Sequence, residues 1–283
     1  MRSINGLLQD EILRLSLQVP GCCVSSSSSS SSGGCPSATQ NIFDEWDWNQ
    51  GIITGSQGGV DQWIGMRNGR ILTSLLGRPE ERRAKVENGS IFSNGADGFK
   101  TAYQASLSSD WYSGFSTAYS NALFFIVEID VFKIGETILW NHLITGGFDN
   151  EYNSFTSQSS TNTIGTRTSG VYHSIPKPLW MTSGVKRYLV EMHYGAEGSL
   201  VANDFQILVN GFPIITTESS FALKNIIGLG VVAPVDFSAN SSLNRRLLSI
   251  LALKNFNNNR LPASSFDEAR QYLACKWDIL LQA

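Results

Sequence analysis

The stretch Ala122–Phe132, ALFFIVEIDVF, decides the fold class, because apolar residues occupy every second position. One face of an extended strand here would carry Leu123, Phe125, Val127, Ile129 and Val131. Arg187–Tyr194 and Asp204–Asn210 alternate in the same way. Period-two alternation in several short stretches is typical of strands that bury one face of a sheet.

The remaining patterns add further strands and one late helix. Ile226–Val232 and Leu247–Lys254 predict strands, and Asn210-Gly211 is the dipeptide that type I′ hairpin turns favour. Residues 264–277 have helical spacing, with Ser265 and Glu268 as a capping box. Many short strands followed by a single helix predict an all-β fold, an antiparallel two-sheet jelly-roll sandwich with a C-terminal helix.

The low charge of the chain argues against some classes of binding partner. The chain has 283 residues, of which 16% are charged, and its net charge is −3. Nucleic acids and anionic membranes select basic surfaces, so we expect neither as a partner. The longest apolar run, Ala122–Val127, is far shorter than the ~20 residues that cross a bilayer. Asp10, Glu11 and Arg14 interrupt what would be the apolar part of a signal peptide, so we expect synthesis in a cytosol.

The composition changes sharply before the predicted sandwich. Residues 1–21 can form a short amphipathic docking segment, and residues 22–40 are rich in Cys and Ser. Residues 41–283 then form the sandwich domain. Eight consecutive serines cannot bury apolar area and predict a flexible tether. Two interpretations stay open for residues 1–40, a disordered tail or an anchoring peptide on a leash.

The end of the chain resembles a known family. Glu268–Trp277, EARQYLACKW, is similar to the close "E-x-x-x-x-Y-L-A-x-K-W-G" of laminin-G-like, concanavalin A-type jelly rolls, with Asp278 where that family has Gly. Ile207–Gly211 resembles the family's "V-x-V-N/D-G" hairpin. Phe43–Trp63 resembles its opening, an aromatic and Asp strand followed by "V-x-x-W".

Domains of this family are common in bacteriophage structural proteins and bacterial surface proteins. The resemblance implies a virion protein of the fibre or decoration type that is assembled in a host cytoplasm. It further implies a homo-oligomer that binds other virion proteins through its N-terminal segment and a cell-surface glycan through its sandwich. A purely structural decoration, and a cellular adhesin or carbohydrate-binding module, are the alternatives. Polar-tipped aromatic residues in loops of a concave face are the candidate sugar contacts. They are Trp111, Tyr112, Tyr119, Tyr152, Tyr172 and His173.

Two acidic residues, Glu128 and Asp130, are the candidates for a hydrolase active site. Glycoside hydrolases that resemble laminarinases and κ-carrageenases share this fold and carry the strand motif E-x-D-x-(x)-E. Glu128 and Asp130 would lie on one strand face about 7 Å apart. Retaining hydrolysis needs a second carboxyl about 5 Å from the first, and Phe132 and Lys133 stand where it should be. We therefore expect no enzyme.

The same two residues are the candidate metal ligands. Legume-lectin relatives bind Ca²⁺ through a strand similar to Val127–Asp130, so Glu128 and Asp130 are candidate Ca²⁺ ligands. The alternative is two carboxylates on a solvated sheet face, with no cofactor. His142, His173 and His193 lack the spacing of a zinc site, and we expect His193 at the surface.

Four cysteines complete the set of reactive residues. Cys22, Cys23 and Cys35 flank the serine tether and are candidates for disulfides between subunits, once the particle leaves a reducing cell. Free thiols on a tail are the alternative. Cys275, in the predicted helix, is expected to be a small buried residue.

Overall fold

The computed structural model describes residues 35–38, 40–74, 80, 83–93, 105–109, 121–132, 137–142, 152–158, 160–168, 171–194, 204–218, 226–229, 245–255 and 260–282. The elements in chain order are β1 Ile42–Asp47, β2 Ile52–Thr54, β3 Val60–Ile64, β4 Ile71–Ser74, β5 Lys85–Glu87, β6 Ser90–Ser93, β7 Ala105–Ser109, β8 Asn121–Ile129, β9 Thr137–His142, β10 Tyr152–Gln158, β11 Thr163–Thr168, β12 Val171–Pro176, β13 Lys186–Tyr194, β14 Asp204–Val209, β15 Phe212–Glu218, β16 Ile226–Leu229, β17 Arg245–Lys254 and the helix α1 Ala263–Lys276.

These strands form two antiparallel sheets. Sheet A has 8 strands in the order β15-β14-β13-β8-β17-β6-β5, with β1 paired to β17. Sheet B has 9 strands in the order β12-β11-β10-β9-β16-β7-β4-β3-β2. Apolar side chains of the two sheets pack against each other, as Phe125 of sheet A and Phe155 of sheet B do in one core cluster. The predicted all-β, two-sheet sandwich with a C-terminal helix is confirmed.

Strand β8 lies at the centre of sheet A and buries both of its faces. Leu123, Phe125, Val127 and Ile129 belong to the core between the sheets, as their alternation predicted. The residues between them on the opposite face, including Phe124, pack under α1 in a second core cluster. This explains why the stretch is apolar nearly throughout, since a strand covered on two sides has no solvated face.

The hairpin β14–β15 turns at the predicted dipeptide. Asn210 and Gly211 both have positive φ, at 51° and 83°, which a type I′ turn requires. The Asn210 side chain also fixes the turn to the neighbouring strand, because its Oδ1 accepts the N–H of Leu189 at 2.9 Å. The turn and the register of β13 are therefore held by one residue.

Helix α1 covers the outer face of sheet A. Phe266, Ala269, Leu273 and Ala274 pack there against β8, β13 and β17. The helix begins after Pro262, and no side chain caps its first turn, so the predicted capping box of Ser265 and Glu268 was wrong. Both residues instead bond the chain that precedes β1. In the part of the chain that the structure describes, no helix is long and apolar enough to cross a membrane.

The strands of sheet A define two ends of the sandwich. At the first, the Asn121 end, Asn121 pairs with both Tyr194 and Lys254. At the second, the Lys186 end, Lys186 pairs with Ile129. Every strand of sheet A runs between these ends, so each residue can be placed by its register.

Sheet B has the same two ends. The hydroxyl of Ser157, near the end of β10, donates to the carbonyl oxygen of Val131, just beyond β8, at 2.5 Å. The last residues of β10 therefore lie at the Lys186 end, and Tyr152, its first residue, lies toward the Asn121 end. This alignment decides which loops of the two sheets meet.

Candidate functional site

Three of the predicted sugar-contacting residues lie in described strands. Tyr152 begins β10, and Tyr172 and His173 lie in the first half of β12. Since Pro176, at the other end of β12, pairs with Thr163 beside the β10–β11 turn, Tyr172 lies toward the Asn121 end. The register thus brings Tyr152 and Tyr172 to one end of sheet B, two strands apart, or roughly 10 Å.

The other three, Trp111, Tyr112 and Tyr119, lie outside the described residues. The strands that flank them are described. Strand β7 ends at Ser109 and β8 begins at Asn121. Strand β7 connects to β10 through β16 and β9, and this register places Ser109 at the same end as Tyr152. The chain therefore leaves sheet B and enters sheet A at the Asn121 end.

The side chains of Tyr172 and His173 do not form one platform. Adjacent residues of a strand point to opposite faces, and His173 shares its face with Ile175, which packs against the core. Both residues lie in a paired strand and not in a loop, so the predicted loop position was wrong. Tyr172 is half-buried, and within the described residues its buried hydroxyl has no hydrogen-bond partner. An unpaired buried hydroxyl is costly.

Two cations at the Asn121 end escaped the sequence analysis. The guanidinium of Arg70 lies 3.9 Å from the ring centroid of Phe43, and the ammonium of Lys254 lies 5.8 Å from it. Both distances are in the range of cation–π contacts. Burial lowers the pKa of Lys254, and the nearby charge of Arg70 lowers it further. The register of β1 and β17 brings Phe43 beside Lys254, and the N–H of Arg70 donates to Asp44 of β1, which holds Arg70 near the same ring.

The two candidate Ca²⁺ ligands do not share a site. Glu128 points to the outer face of sheet A, where its carboxylate pairs with Arg187 at 2.7 Å and with Arg246 at 3.9 Å. Asp130 lies beyond the last residue of β8 and accepts the N–H of Phe132 at 3.1 Å. The predicted common face was wrong, because the strand ends and the chain turns between the two carboxylates. Within the described residues, no group of three or more His, Cys, Asp and Glu residues could hold a metal ion.

Asp130 belongs instead to a buried polar cluster at the Lys186 end. Lys177 donates to the carbonyl oxygen of Gln158 at 3.0 Å. Burial lowers the pKa of Lys177, although the charge of Asp130 opposes this. Burial and the same carboxylate raise the pKa of Tyr188 to about 12. Asp130, Lys177 and Tyr188 are only 3%, 6% and 3% exposed, so this cluster joins loops and is closed to a large ligand.

Two residues of the motif Glu268–Trp277, which resembles the end of laminin-G-like domains, have a structural role. Glu45 in β1 is fully buried, and its carboxylate receives Tyr272 at 2.6 Å, Lys276 at 2.7 Å and Arg67 at 2.9 Å. Burial raises the pKa of Glu45, but these hydrogen bonds outweigh it and hold the pKa below 4.5. Lys276 also pairs with Asp47 at 2.6 Å. Tyr272 and Lys276 of the motif therefore fasten α1 to β1.

The same helix contacts a second buried carboxylate, which belongs to sheet A. Glu191 in β13 receives Arg270 through two hydrogen bonds, at 2.7 and 2.9 Å, and His193 at 3.1 Å. The ring of His193 stacks on Phe266 with 4.3 Å between centroids. His193 is 3% exposed, so its predicted surface position was wrong. Alternation of two polar residues such as Glu191 and His193 is typical of a solvated strand face, but α1 covers this face.

The predicted disulfide between subunits is also corrected. Cys35 is bonded to Cys275 of the same chain, with a Cα–Cα distance of 5.6 Å. Cys275 is exposed, and the predicted burial of this residue was wrong. Cys22 and Cys23 lie outside the described residues. No sequence pattern indicates this pairing, because 240 positions separate the two cysteines.

Comparisons with known proteins connect the fold to sialidases. No protein-family profile matches the chain, and no curated protein matches it in sequence. Among solved structures, Trypanosoma rangeli sialidase bound to a difluoro-KDN compound is 15% identical over 98% of this chain and 40% of that chain, with a TM-score of 0.55. The same enzyme bound to sialic acid is 13% identical over 89% and 37%, with a TM-score of 0.54. A third structure of it, a covalent intermediate, is 11% identical over 87% and 34%, with a TM-score of 0.52.

The expectation that the chain is not an enzyme is contradicted by these structures. These three solved chains, which share its fold, are named as a sialidase, and a sialidase is an enzyme. At 11–15% identity the likeness shows the fold alone. This chain spans 34–40% of the length of the sialidase chains, so the shared fold is one part of them.

Proposed function

We propose that this chain is a glycan-binding sandwich, carried on a bacteriophage particle as a fibre or decoration protein and used for attachment to a host surface. The placement of Tyr152, Tyr172 and both ends of segment 110–120 at the Asn121 end carries the proposal. Aromatic rings with polar tips suit sugars, because a ring packs on the apolar face of a sugar while its tip bonds a hydroxyl.

The fold supports a glycan as the ligand. A similar fold makes up part of Trypanosoma rangeli sialidase, which has been solved with sialic acid. Weak binding by a single domain is enough for attachment when many copies act together. A particle protein displayed in many copies meets that condition, and the resemblance to laminin-G-like jelly rolls of phage proteins points to such a particle.

The intrachain disulfide supports a working place outside the cell. Disulfides persist in oxidising surroundings and are rare in a reducing cytosol. The Cys35–Cys275 bond therefore suits a protein that is made in a cytoplasm, assembled into a virion and released. In this proposal residues 1–21 contact other virion proteins and residues 22–34 provide reach.

The test is binding of the full chain to a polysaccharide array and to host cells, with the eluates analysed for released sugar. We expect saturable binding. Replacing Tyr172 by Ala should weaken it roughly fivefold, since one aromatic contact is worth about 1 kcal/mol. Tyr172→Phe keeps the ring and separates stacking from the hydroxyl's hydrogen bond.

The matched control is Leu179→Ala, at a fully exposed apolar residue of the Lys186 end. This change should leave binding unaltered. Equal losses in both variants would place the site elsewhere, and absence of binding by folded protein would favour a purely structural decoration. Released sugar in the eluate would show a glycosidase and not an attachment protein. Deleting residues 2–34 should abolish incorporation into particles, and normal incorporation would exclude the docking role.

A further inference from the structure

Arg70, the residue before β4, differs from five other arginines of the sandwich. Each of those pairs with a carboxylate: Arg67, Arg83, Arg187, Arg246 and Arg270. Within the described part of the chain, Arg70 forms no ion pair, and its buried Nε has no hydrogen-bond partner. The carboxylate of Asp44 lies near the Arg70 backbone, but its oxygens accept four backbone N–H groups. The half-buried guanidinium therefore carries a charge that no described carboxylate balances.

Lys254, the last residue of β17, adds a second positive charge near the same aromatic ring. The Arg70 guanidinium lies 3.9 Å from the centroid of the Phe43 ring, and the Lys254 ammonium lies 5.8 Å from it. Each cation gains from contact with the ring, but the two cations repel each other. Burial, and then this repulsion, lower the pKa of Lys254. An anion bound beside Arg70 would offset the repulsion.

The inner face of sheet A ends in a polar row beside this ring. Asn121 pairs in register with Tyr194 on one side and with Lys254 on the other. Residues directly opposite each other in an antiparallel pair share a face, and Tyr194 belongs to the core between the sheets. The next row inward is apolar and consists of Met192, Leu123 and Ala252. Polar side chains therefore border the core at the Asn121 end.

Arg70 lies at the same end of the sandwich as Tyr152. It directly precedes β4, in which Leu72 pairs with Ser109 of β7, and Ser109 lies at the Asn121 end. In sheet B, β4 is four strands away from β10, so Arg70 and Tyr152 are roughly 19 Å apart across the sheet. A single sugar is too small to contact both residues, but a chain of several sugars can do so.

We propose that Arg70 binds an oxyanion of an acidic glycan, a carboxylate or a sulfate, and that Lys254 strengthens this binding. Arginine suits such groups, because its planar guanidinium can donate two parallel hydrogen bonds to a pair of anionic oxygens. Partial burial strengthens the attraction, since less water screens it. The anion site follows from the two cations and their surroundings, whereas the acidic glycan as its ligand rests on the proposed function.

The first test observes the anion site by NMR of the full chain. The Nε–H signal of Arg70 is assigned from its absence in Arg70→Gln, and three probes are added at constant ionic strength: glucuronate, glucose 6-sulfate and neutral methyl glucoside. We expect a saturable shift of this signal with the anions and none with the neutral sugar. A response to one anion alone would support the site and identify its oxyanion. A signal that neither anion moves would overturn the site.

The second test measures binding of the full chain to acidic polysaccharides. Each one is compared with the same polysaccharide after its carboxyl groups are reduced to alcohols or its sulfates are removed. Arg70→Gln should weaken binding to the acidic form at least about tenfold, because a hydrogen-bonded charge pair is lost. Lys254→Gln should weaken it less, since its charge acts at a longer distance. Binding to the neutral form should not change in either variant.

The matched control is Lys186→Gln, which removes one positive charge at the exposed, opposite end of the sandwich. It should leave binding unaltered. The main-chain bonds of Arg70 with Asp44 and Trp46 do not involve its side chain, so Arg70→Gln should fold, and circular dichroism checks this.

The outcomes separate the anion site from the proposed function. Equal losses in Arg70→Gln and Lys186→Gln would reduce the effect to net charge and overturn the site. If the anions move the Arg70 signal but no polysaccharide binds, the anion site stands and the proposed function fails. If a glycan binds equally well with and without its acidic groups, and Arg70→Gln binds it like the wild type, the proposed function stands and the acidic ligand is excluded.

Discussion

The two faces of sheet A are buried by different means. On the inner face, Phe125 and its neighbours meet the apolar side chains of sheet B. On the outer face, Phe124 meets helix α1, and the same helix donates hydrogen bonds to two buried carboxylates, Glu45 and Glu191. A second sheet covers the inner face. One helix covers the outer face, and hydrogen bonds and a disulfide hold that helix in place. Burial alone therefore does not explain why the outer face stays covered.

The largest expected effect tests whether both faces are equally part of the core. Phe124 and Phe125 are adjacent in β8 and are 0% and 1% exposed. Replacing either by Ala should lower the free energy of unfolding by about 3–5 kcal/mol, the usual cost of removing a buried Phe. Urea unfolding measures this change in the free energy of unfolding. A loss below about 1 kcal/mol for Phe124→Ala alone would mean that α1 does not cover this face in solution.

The next effect separates charge pairing from apolar packing on the outer face. Arg270→Ala leaves the fully buried Glu191 with His193 as its described partner. Breaking a buried ion pair by removing one member costs about 3–5 kcal/mol, and the remaining His193 bond should keep the loss near 3. The double variant Arg270→Ala with Glu191→Gln should regain part of the loss, since no buried charge is then left over. If the double variant is no more stable than the single one, the charge is not the cause.

The same contrast explains what could be predicted from the sequence. The alternation in Ala122–Phe132 predicted β8 and its inner face, because contacts between sheets depend on the period of the strand alone. The Asn210-Gly211 turn was predictable for a similar reason, since its backbone conformation is local.

Contacts between distant elements were not predictable in this way. Glu191 and His193 alternate like residues of a solvated face, and no feature of the β13 sequence indicates that α1 covers them. The pairing of Cys35 with Cys275, and of Glu45 with Lys276, spans most of the chain. Such pairs depend on where a helix docks, which residue periodicity does not specify. The same limit applies to the candidate site, where strand register brings Tyr152 and Tyr172 to one end.

Acid should affect the outer face before the inner one. The pKa of Glu45 is held below 4.5 in the folded protein by Lys276, Tyr272 and Arg67. The unfolded chain therefore takes up a proton near pH 4.5 that the folded chain does not. The stability contributed by Glu45 is complete above that pH, and it is lost as pH falls through the folded pKa. The expected result is a decline in the free energy of unfolding on acidification below about pH 4.5.

Glu45→Gln isolates this contribution. At pH 7 the variant should be less stable than the wild type, because Lys276 and Arg67 lose a charged partner. As pH falls, the two unfolding free energies should converge, since the wild-type carboxylate becomes neutral as well. Parallel curves from pH 7 to pH 3 would show that Glu45 does not titrate differently in the folded state.

The smallest loss of stability is expected at an ion pair on the same outer face that is open to water. Arg187 pairs with Glu128 at 2.7 Å, but its side chain is 38% exposed. Solvent-exposed ion pairs contribute about 0–1 kcal/mol, so Arg187→Ala should lower the free energy of unfolding by less than 1 kcal/mol, far less than Arg270→Ala. Urea unfolding of both variants at the same salt concentration gives the ratio directly. Since both arginines pair with a carboxylate on the outer face of sheet A and differ mainly in burial, equal losses would show that burial does not set the strength of these pairs. In that case the fastening of α1 would have to be assigned to its apolar contacts and the disulfide.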